Sequence, residues 1–212
     1  MLNGMYHQYL TEQDTAGFKA RVSERYGVAT LERLSASGDR MARRAAVLAL
    51  GLLADYDSNA TLGRALTDHD RGVRILAENA IGIVWCRVGN RRQQHRLAVI
   101  VELNATHRYQ EAIERSTRLI DEAPLLAEGW NQRAVAYFNT GRFSESIRDC
   151  DQTLELNPYH FGAAAGMGQC YVQLNQRARA LACFRRALGL NRNMEGVRAH
   201  VLYLERVLKS QD

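Results

Sequence analysis

The sequence contains very little proline and very little lysine. Only Pro124 and Pro158 occur in 212 residues, and because proline interrupts helices, this scarcity favours a largely helical chain. Lysine occurs only at Lys19 and Lys209, so arginine carries nearly all of the basic charge. The net charge is +5 and is spread over both halves of the chain. This distribution favours an arginine-rich codon usage over a nucleic-acid-binding arm or tail.

Long apolar runs are missing as well. No run approaches the ~18 residues that a membrane-spanning helix needs, and the beginning of the chain lacks the basic-then-apolar pattern of a secretory signal. Hydrophobic residues make up 46% and charged residues 24%, which is typical of a folded protein. If the chain is a whole gene product, we expect it in the cytoplasm. If it is a piece of a longer protein, that expectation has no basis.

The motifs of common enzymes and metal sites are absent from the sequence. No CxxC pair, HExxH, GxSxG or glycine-rich phosphate loop after a predicted strand occurs. The histidines are scattered, and His69, between two aspartates in a predicted turn, is more simply a solvated residue than a metal ligand. We therefore expect no enzyme activity, no metal and no cofactor, and we expect the four cysteines to be mostly buried thiols.

Cys150 is the one residue that suggests a reactive cluster, because it lies between Asp149 and Asp151. On a helix the two carboxylates point about 100° to either side of the thiol, so they cannot both approach it. Their negative charge also opposes formation of a thiolate. The sequence therefore predicts that Cys150 fills part of the core.

The C-terminal half repeats with a period of 34 residues. In residues 127–160 a tryptophan is followed by small residues, aromatic residues and a final proline, at Trp130, Ala134, Tyr137, Gly141, Phe143 and Pro158. This pattern resembles the tetratricopeptide repeat (TPR) family. Residues 161–194 match at most of the same places, with Arg192 instead of the final proline.

The TPR resemblance implies that each unit is a pair of antiparallel helices stacked on the next pair. We predict three units, 93–126, 127–160 and 161–194, of which the first matches least well. Residues 195–212 are predicted to form a capping helix, since Val197, Val201, Leu204 and Leu208 fall on one stripe.

The N-terminal half repeats with a different period, 31 residues. The segment DRMARRAAVLALGLL from Asp39 aligns with DRGVRILAENAIGIV from Asp70. This half resembles the short HEAT-like repeats of bilin-lyase-type proteins, and residues 1–92 are predicted to hold such repeats behind an N-terminal cap helix. We expect both aspartates to cap helices. Arg43 and Arg74 are expected to pair with an aspartate of the same or the adjacent repeat.

The two resemblances together imply an all-α fold, a right-handed α-solenoid of stacked helical hairpins in which a HEAT-like section precedes a TPR section. The joining segment, CRVGNRRQQHR, is short and lacks the proline- or serine-rich composition of a linker. We therefore expect one continuous stack rather than two tethered domains.

The TPR resemblance also implies a binding face, because the first helices of TPR units line a concave groove that takes peptides or helices of partner proteins. The groove residues are those that packing does not use: Asn104, Asn131, Val135, Phe138, Asn139, Gln169, Val172 and Gln173. For Phe138 and Val172, packing between repeats is an equally good interpretation.

A charged clamp is not expected in this groove. TPR co-chaperones that bind acidic heat-shock chaperone tails use a Lys, Asn, Asn, Lys, Arg set. The matching places here hold Leu97, Val101, Gln132, Gly162 and Gly166. The groove is therefore predicted to take an uncharged or amphipathic segment.

No aspartate or glutamate occurs between Leu156 and Met194. Four arginines of this interval are predicted on the convex face: Arg177, Arg179, Arg185 and Arg186. They form either a solvated face or a site for an anionic partner such as RNA or an acidic protein.

The sequence thus predicts a non-catalytic interaction scaffold or adaptor that binds a peptide or amphipathic helix of a partner protein. Two alternatives stay open. One is binding of an anionic partner through the arginines of the last repeat. The other is an accessory role in an enzyme complex, for which Cys86 beside Trp85 is the only candidate reactive group. Neither the partner's identity nor an oligomeric state is predicted.

Overall fold

The structure, a computed structural model, describes residues 1–210. Within them the chain forms thirteen α-helices, one short 3-10 helix and no strand, which confirms the all-α class. The chain divides into two compact units, Met1–Arg87 and a second unit that begins at Val88. None of the helices in residues 1–210 combines the length and apolar character that crossing a membrane would need.

The first unit contains six α-helices, with the 3-10 helix Tyr56–Ser58 before the fifth. They are α1 (Leu2–Glu12), α2 (Thr15–Ser23), α3 (Val28–Ser37), α4 (Arg40–Leu53), α5 (Asn59–Ala65) and α6 (Arg71–Trp85). Helices α4 and α6 approach closely at Gly51, where an added Cβ would lie 2.6 Å from the Cβ of Ala80. Both helices bury apolar side chains, among them Ala46 and Leu50 of α4 and Ala77 and Ile81 of α6.

The repeated aspartates of this unit cap α4 and α6, as predicted. A carboxylate oxygen of Asp39 accepts from the N–H of Ala42 at 2.9 Å, and one of Asp70 accepts from the N–H of Val73 at 2.9 Å. Each aspartate satisfies a backbone donor that the first turn of a helix leaves without an intrahelical partner.

Arginines of α4 link consecutive repeats through these turns. Arg43 pairs in a bidentate manner with Asp68 at 3.0 and 3.1 Å, and Asp68 belongs to the adjacent repeat, one of the two possibilities that the sequence left open. Arg44, which the sequence did not single out, pairs with Asp70 at 2.7 and 2.9 Å. Arg74 donates to the carbonyl oxygens of Asp68 and His69 at 2.8 and 3.1 Å.

The second unit contains seven helices in residues 88–210. They are α7 (Arg91–Ala105), α8 (Tyr109–Glu122), α9 (Ala127–Asn139), α10 (Phe143–Leu156), α11 (Phe161–Gln173), α12 (Arg177–Leu190) and α13 (Glu195–Lys209). Along α13, Val197, Val201 and Leu204 are buried and Leu208 packs against the same core. That residues 195–212 act as a cap stays a prediction, and residues 211–212 lie outside the described residues.

The turns inside the three helix pairs of this unit are alike and recur every 34 residues. Each contains a residue in the left-handed region, His107 at φ 61°, Gly141 at φ 75° and Asn175 at φ 56°. The backbone N–H of the residue that follows it donates at 2.8 Å to the carbonyl oxygen five positions earlier: Arg108 to Leu103, Arg142 to Tyr137 and Gln176 to Tyr171. The geometry of α7 and α8 therefore follows that of the two later pairs, although the predicted unit boundaries themselves stay predictions.

Candidate functional site

A pocket of about 230 Å³ lies among α9, α10 and α11, within the second unit. We call it the α9–α11 pocket. Its walls are Asn131, Ala134, Val135, Phe138 and Asn139 of α9, Ser146 and Cys150 of α10, and Gly162, Gly166 and Gln169 of α11. Five of the eight predicted groove residues, namely Asn131, Val135, Phe138, Asn139 and Gln169, therefore surround one cavity.

The other three predicted groove residues lie outside the pocket walls. Asn104 is buried, and its Nδ2 donates to the carbonyl oxygen and to Oε1 of Gln132, both at 2.9 Å. Its side chain therefore holds α7 to α9. Val172 and Gln173 are exposed near the end of α11.

A buried carboxylate holds the Asn131 side of the pocket in place. Glu128 is only 6% exposed, and its Oε1 accepts from Asn131 Nδ2 at 2.8 Å and from Gln132 Nε2 at 2.7 Å. Its Oε2 lies 3.1 Å from Nε2 of His160. Burial alone would raise the pKa of Glu128, but the hydrogen bonds from His160, Gln132 and Asn131 outweigh burial and lower it.

His160 connects this carboxylate to the beginning of α11. Its Nδ1 accepts from the N–H of Ala163 at 3.0 Å, so the ring caps the helix. Because Nδ1 acts as an acceptor, the ring proton lies on Nε2, and Nε2 donates to Glu128. Sequence reasoning missed both residues.

Cys150 forms part of the pocket floor and belongs to the apolar core, as the sequence predicts. Burial, with a further contribution from Cys170, raises the pKa of the Cys150 thiol, so the thiol stays protonated. The neighbouring Asp149 is buried and pairs with Arg133 at 2.7 and 3.0 Å. The Asp149 carboxylate is therefore engaged by Arg133, and the Cys150 thiol is held protonated in the core.

The arginines of α12 are only partly available to an anion. Arg185 donates to Glu205 of α13 at 2.6 Å. Arg179 donates to Gln176 at 2.9 Å, and its guanidinium lies 5.7 Å from the ring centre of Tyr171. Because Glu205 lies outside the acid-free interval, the sequence alone did not indicate this neutralisation. The anion patch of Arg177, Arg179, Arg185 and Arg186 stays a prediction.

A second hollow in this unit, of about 360 Å³, contains none of the predicted site residues. It is formed by Val88, Gly89 and Gln93, together with residues 122–126, and its surface is mainly apolar.

Comparison with protein families agrees with both repeat patterns. Residues 127–160 and 163–194 each match a family described as tetratricopeptide repeat, and residues 28–116 match a family described as HEAT repeats. The HEAT match continues through α7 and into α8, a segment that the sequence also predicts as the first TPR unit.

The curated relatives share only a segment with this chain. A TPR repeat-containing protein of Rhizobium etli is 42% identical over 52 residues, which is 23% of this chain and 26% of the relative. DnaJ homolog subfamily C member 7 of Homo sapiens is 31% identical over 83 residues, which is 39% of this chain and 17% of the relative. Protein SGT1 homolog of Bos taurus is 32% identical over 82 residues, which is 39% of this chain and 24% of the relative. The chain thus spans about a quarter or less of each relative's length.

Solved structures show the same type of fold. The first TPR of Spaghetti (RPAP3), bound to the HSP90 peptide SRMEEVD, gives a TM-score of 0.54 at 22% identity and covers 57% of this chain and 97% of its own. The TPR2AB domain of yeast Sti1, in a pHSP90 complex, gives a TM-score of 0.51 at 15% identity and covers 96% of this chain and 97% of its own. This chain therefore carries tetratricopeptide repeats over residues 127–160 and 163–194 and HEAT repeats over residues 28–116.

Proposed function

We propose that this chain is a non-catalytic adaptor whose α9–α11 pocket binds an uncharged or amphipathic segment of a partner protein. The proposal rests on the composition of the pocket walls. Asn131, Asn139 and Gln169 supply carboxamides, which both donate and accept hydrogen bonds and so match a peptide backbone. Val135 and Phe138 supply apolar surface, and no charged side chain is among the ten residues of the wall.

The similarity to peptide-bound TPR structures supports a peptide as the ligand. The Spaghetti TPR is bound to an HSP90 peptide, and its fold is similar to that of this chain. We expect no charged clamp for such acidic tails here, since Gly162 and Gly166 are predicted at the places of its last two basic residues. A partner of this chain should therefore be recognised without a carboxylate contact.

The test begins with peptides selected from a displayed random library against the purified full chain. The tightest binders are synthesised with a fluorescent label, and their dissociation constants are measured by anisotropy. The double variant Asn131→Ala/Gln169→Ala should weaken binding about tenfold or more, because both carboxamides border the pocket.

Gln110→Ala, an exposed carboxamide of α8, is the matched control and should leave affinity unchanged. Circular dichroism checks that all variants fold, since Asn131 also donates to Glu128. Equal affinity of the double variant and the wild type would remove the pocket as the binding site.

A further inference from the structure

The α9–α11 pocket exists because α11 lacks side chains at two positions one turn apart. A Cβ built on Gly166 would meet only the Cys150 Sγ, at 3.6 Å, and one built on Gly162 would meet only the His160 ring, at 3.4 Å and beyond. Apart from the helix itself, no other group in residues 1–210 lies within 4 Å of either Cβ position, so the space in front of both glycines is open.

The pocket is of a size for one side chain. At about 230 Å³ it is smaller than the roughly 300–1,000 Å³ of sites that hold a drug-sized molecule. Its walls are also held in place. The Phe138 ring packs edge-on against Phe143 with 5.6 Å between centroids, and Asn131 is tied to the buried Glu128. A preformed cavity of this kind requires little reordering when it is filled.

The chemistry of the floor and walls selects an apolar occupant. The floor is the protonated thiol of Cys150, which behaves as a small apolar group, and the aliphatic and aromatic wall comes from Val135 and Phe138. A charged side chain entering here would lose its water without meeting an opposite charge on the wall. The three carboxamides at Asn131, Asn139 and Gln169 remain to bind the partner's backbone on either side of the inserted side chain.

We infer that the α9–α11 pocket anchors one aliphatic side chain, of leucine or methionine type, from a partner peptide whose backbone is bound by the carboxamides. This inference rests on the proposed function and adds the chemical class of the recognised residue. Gly166 is then the specificity-determining position, because any side chain there projects toward the space that the anchor would fill.

The experiment uses a positional-scanning library of fluorescein-labelled octapeptides, in which one position at a time is fixed as Leu, Met, Asp or Lys. The wild-type chain should prefer Leu or Met over Asp and Lys at one position. Gly166→Val should reduce affinity for these aliphatic pools about tenfold or more. The new Cβ lies at an ordinary contact distance from Cys150, and circular dichroism checks that the two methyl groups of valine are also tolerated.

Gly189→Val is the matched control, because this helical glycine has open space around it. It should retain the aliphatic preference. Unchanged affinity of Gly166→Val for the Leu and Met pools, or a preference for Asp or Lys at every bound position, would overturn the anchor while peptide binding itself still stands. Absence of binding by the wild-type chain to any pool would instead remove the proposed function, and the anchor with it.

Discussion

Nε2 of His160 lies 3.1 Å from Oε2 of Glu128, and this contact joins the beginning of α11 to the beginning of α9 beside the α9–α11 pocket. Both side chains are buried. Because His160 caps α11 and Glu128 holds Asn131, the pair couples the positions of two pocket walls. A change in either residue should therefore affect both stability and the pocket.

Replacing Glu128 with alanine should destabilise the chain strongly. The change removes three hydrogen bonds to a buried carboxylate, from His160, Asn131 and Gln132, and a hydrogen bond to a charged group contributes about 1.5–3 kcal/mol. Urea unfolding followed by circular dichroism should show a loss of at least about 2 kcal/mol. Glu155→Ala, an exposed carboxylate of α10, should cost about 0.5 kcal/mol or less. Equal losses for the two variants would show that the buried network contributes nothing specific.

The Arg44–Asp70 pair should make part of the stability depend on acid pH. The hydrogen bond from Arg44, more than any other cause, lowers the pKa of Asp70 to about 2 from 3.8. A carboxyl whose folded pKa is depressed stabilises the fold above its unfolded pKa and loses that contribution as pH falls toward the folded pKa. The contribution should thus be complete at about pH 5, amount to about 2 kcal/mol, and disappear between about pH 4 and pH 2.

Asp70→Asn is the variant for this measurement, because asparagine still caps a helix. Its deficit in unfolding free energy relative to the wild type should shrink as pH falls through this range. A deficit that stays constant from pH 5 to pH 2 would contradict the role of the ion pair.

Regular local patterns were the part of this structure that the sequence could predict. The offset between Asp39 and Asp70 located two helix caps, since capping needs only a short polar side chain ahead of an apolar period. Five of the predicted groove residues also lie around one pocket, while their use as a binding groove stays a prediction. The sequence predicted that Arg43 pairs with an aspartate of the same or the adjacent repeat, but that this aspartate is Asp68 depended on the path of the turn between helices, which the repeat period does not describe.

Contacts between distant helices could not be predicted from one sequence. Glu128 and His160 are 32 residues apart. Taken alone, Glu128 is typical of an exposed acid in the first turn of a helix, and His160 is typical of a histidine in a turn. Asn104 has the spacing of a groove residue, but the neighbouring Gln132 binds its amide and draws it into the packing between helices. Such outcomes depend on side-chain geometry across an interface rather than on position along one helix.

Two glycine-to-alanine substitutions should have opposite effects. A Cβ on Gly168 would lie 2.7 Å from the fully buried ring of Phe184, and overpacking of a core costs about 1–3 kcal/mol. Gly189 has open space around it, so alanine there should stabilise the helix by up to about 1 kcal/mol. Thermal unfolding of the two variants should shift the midpoint in opposite directions. A neutral Gly168→Ala would mean that Phe184 can move aside.

Thiol modification should follow burial, and it provides a direct test of the non-catalytic interpretation. Cys86 is exposed and Cys183 is half-buried, whereas Cys150 and Cys170 are buried, and burial raises the pKa of both buried thiols. Since the thiolate is the reactive form, iodoacetamide at pH 7.5 should modify Cys86 first and Cys183 more slowly, and should reach Cys150 and Cys170 only when urea unfolds the chain. Peptide mass spectrometry over time gives the order for each site. If Cys150 reacted in the folded chain as fast as Cys86, it would be an activated thiol, and the catalytic cluster would again need to be considered.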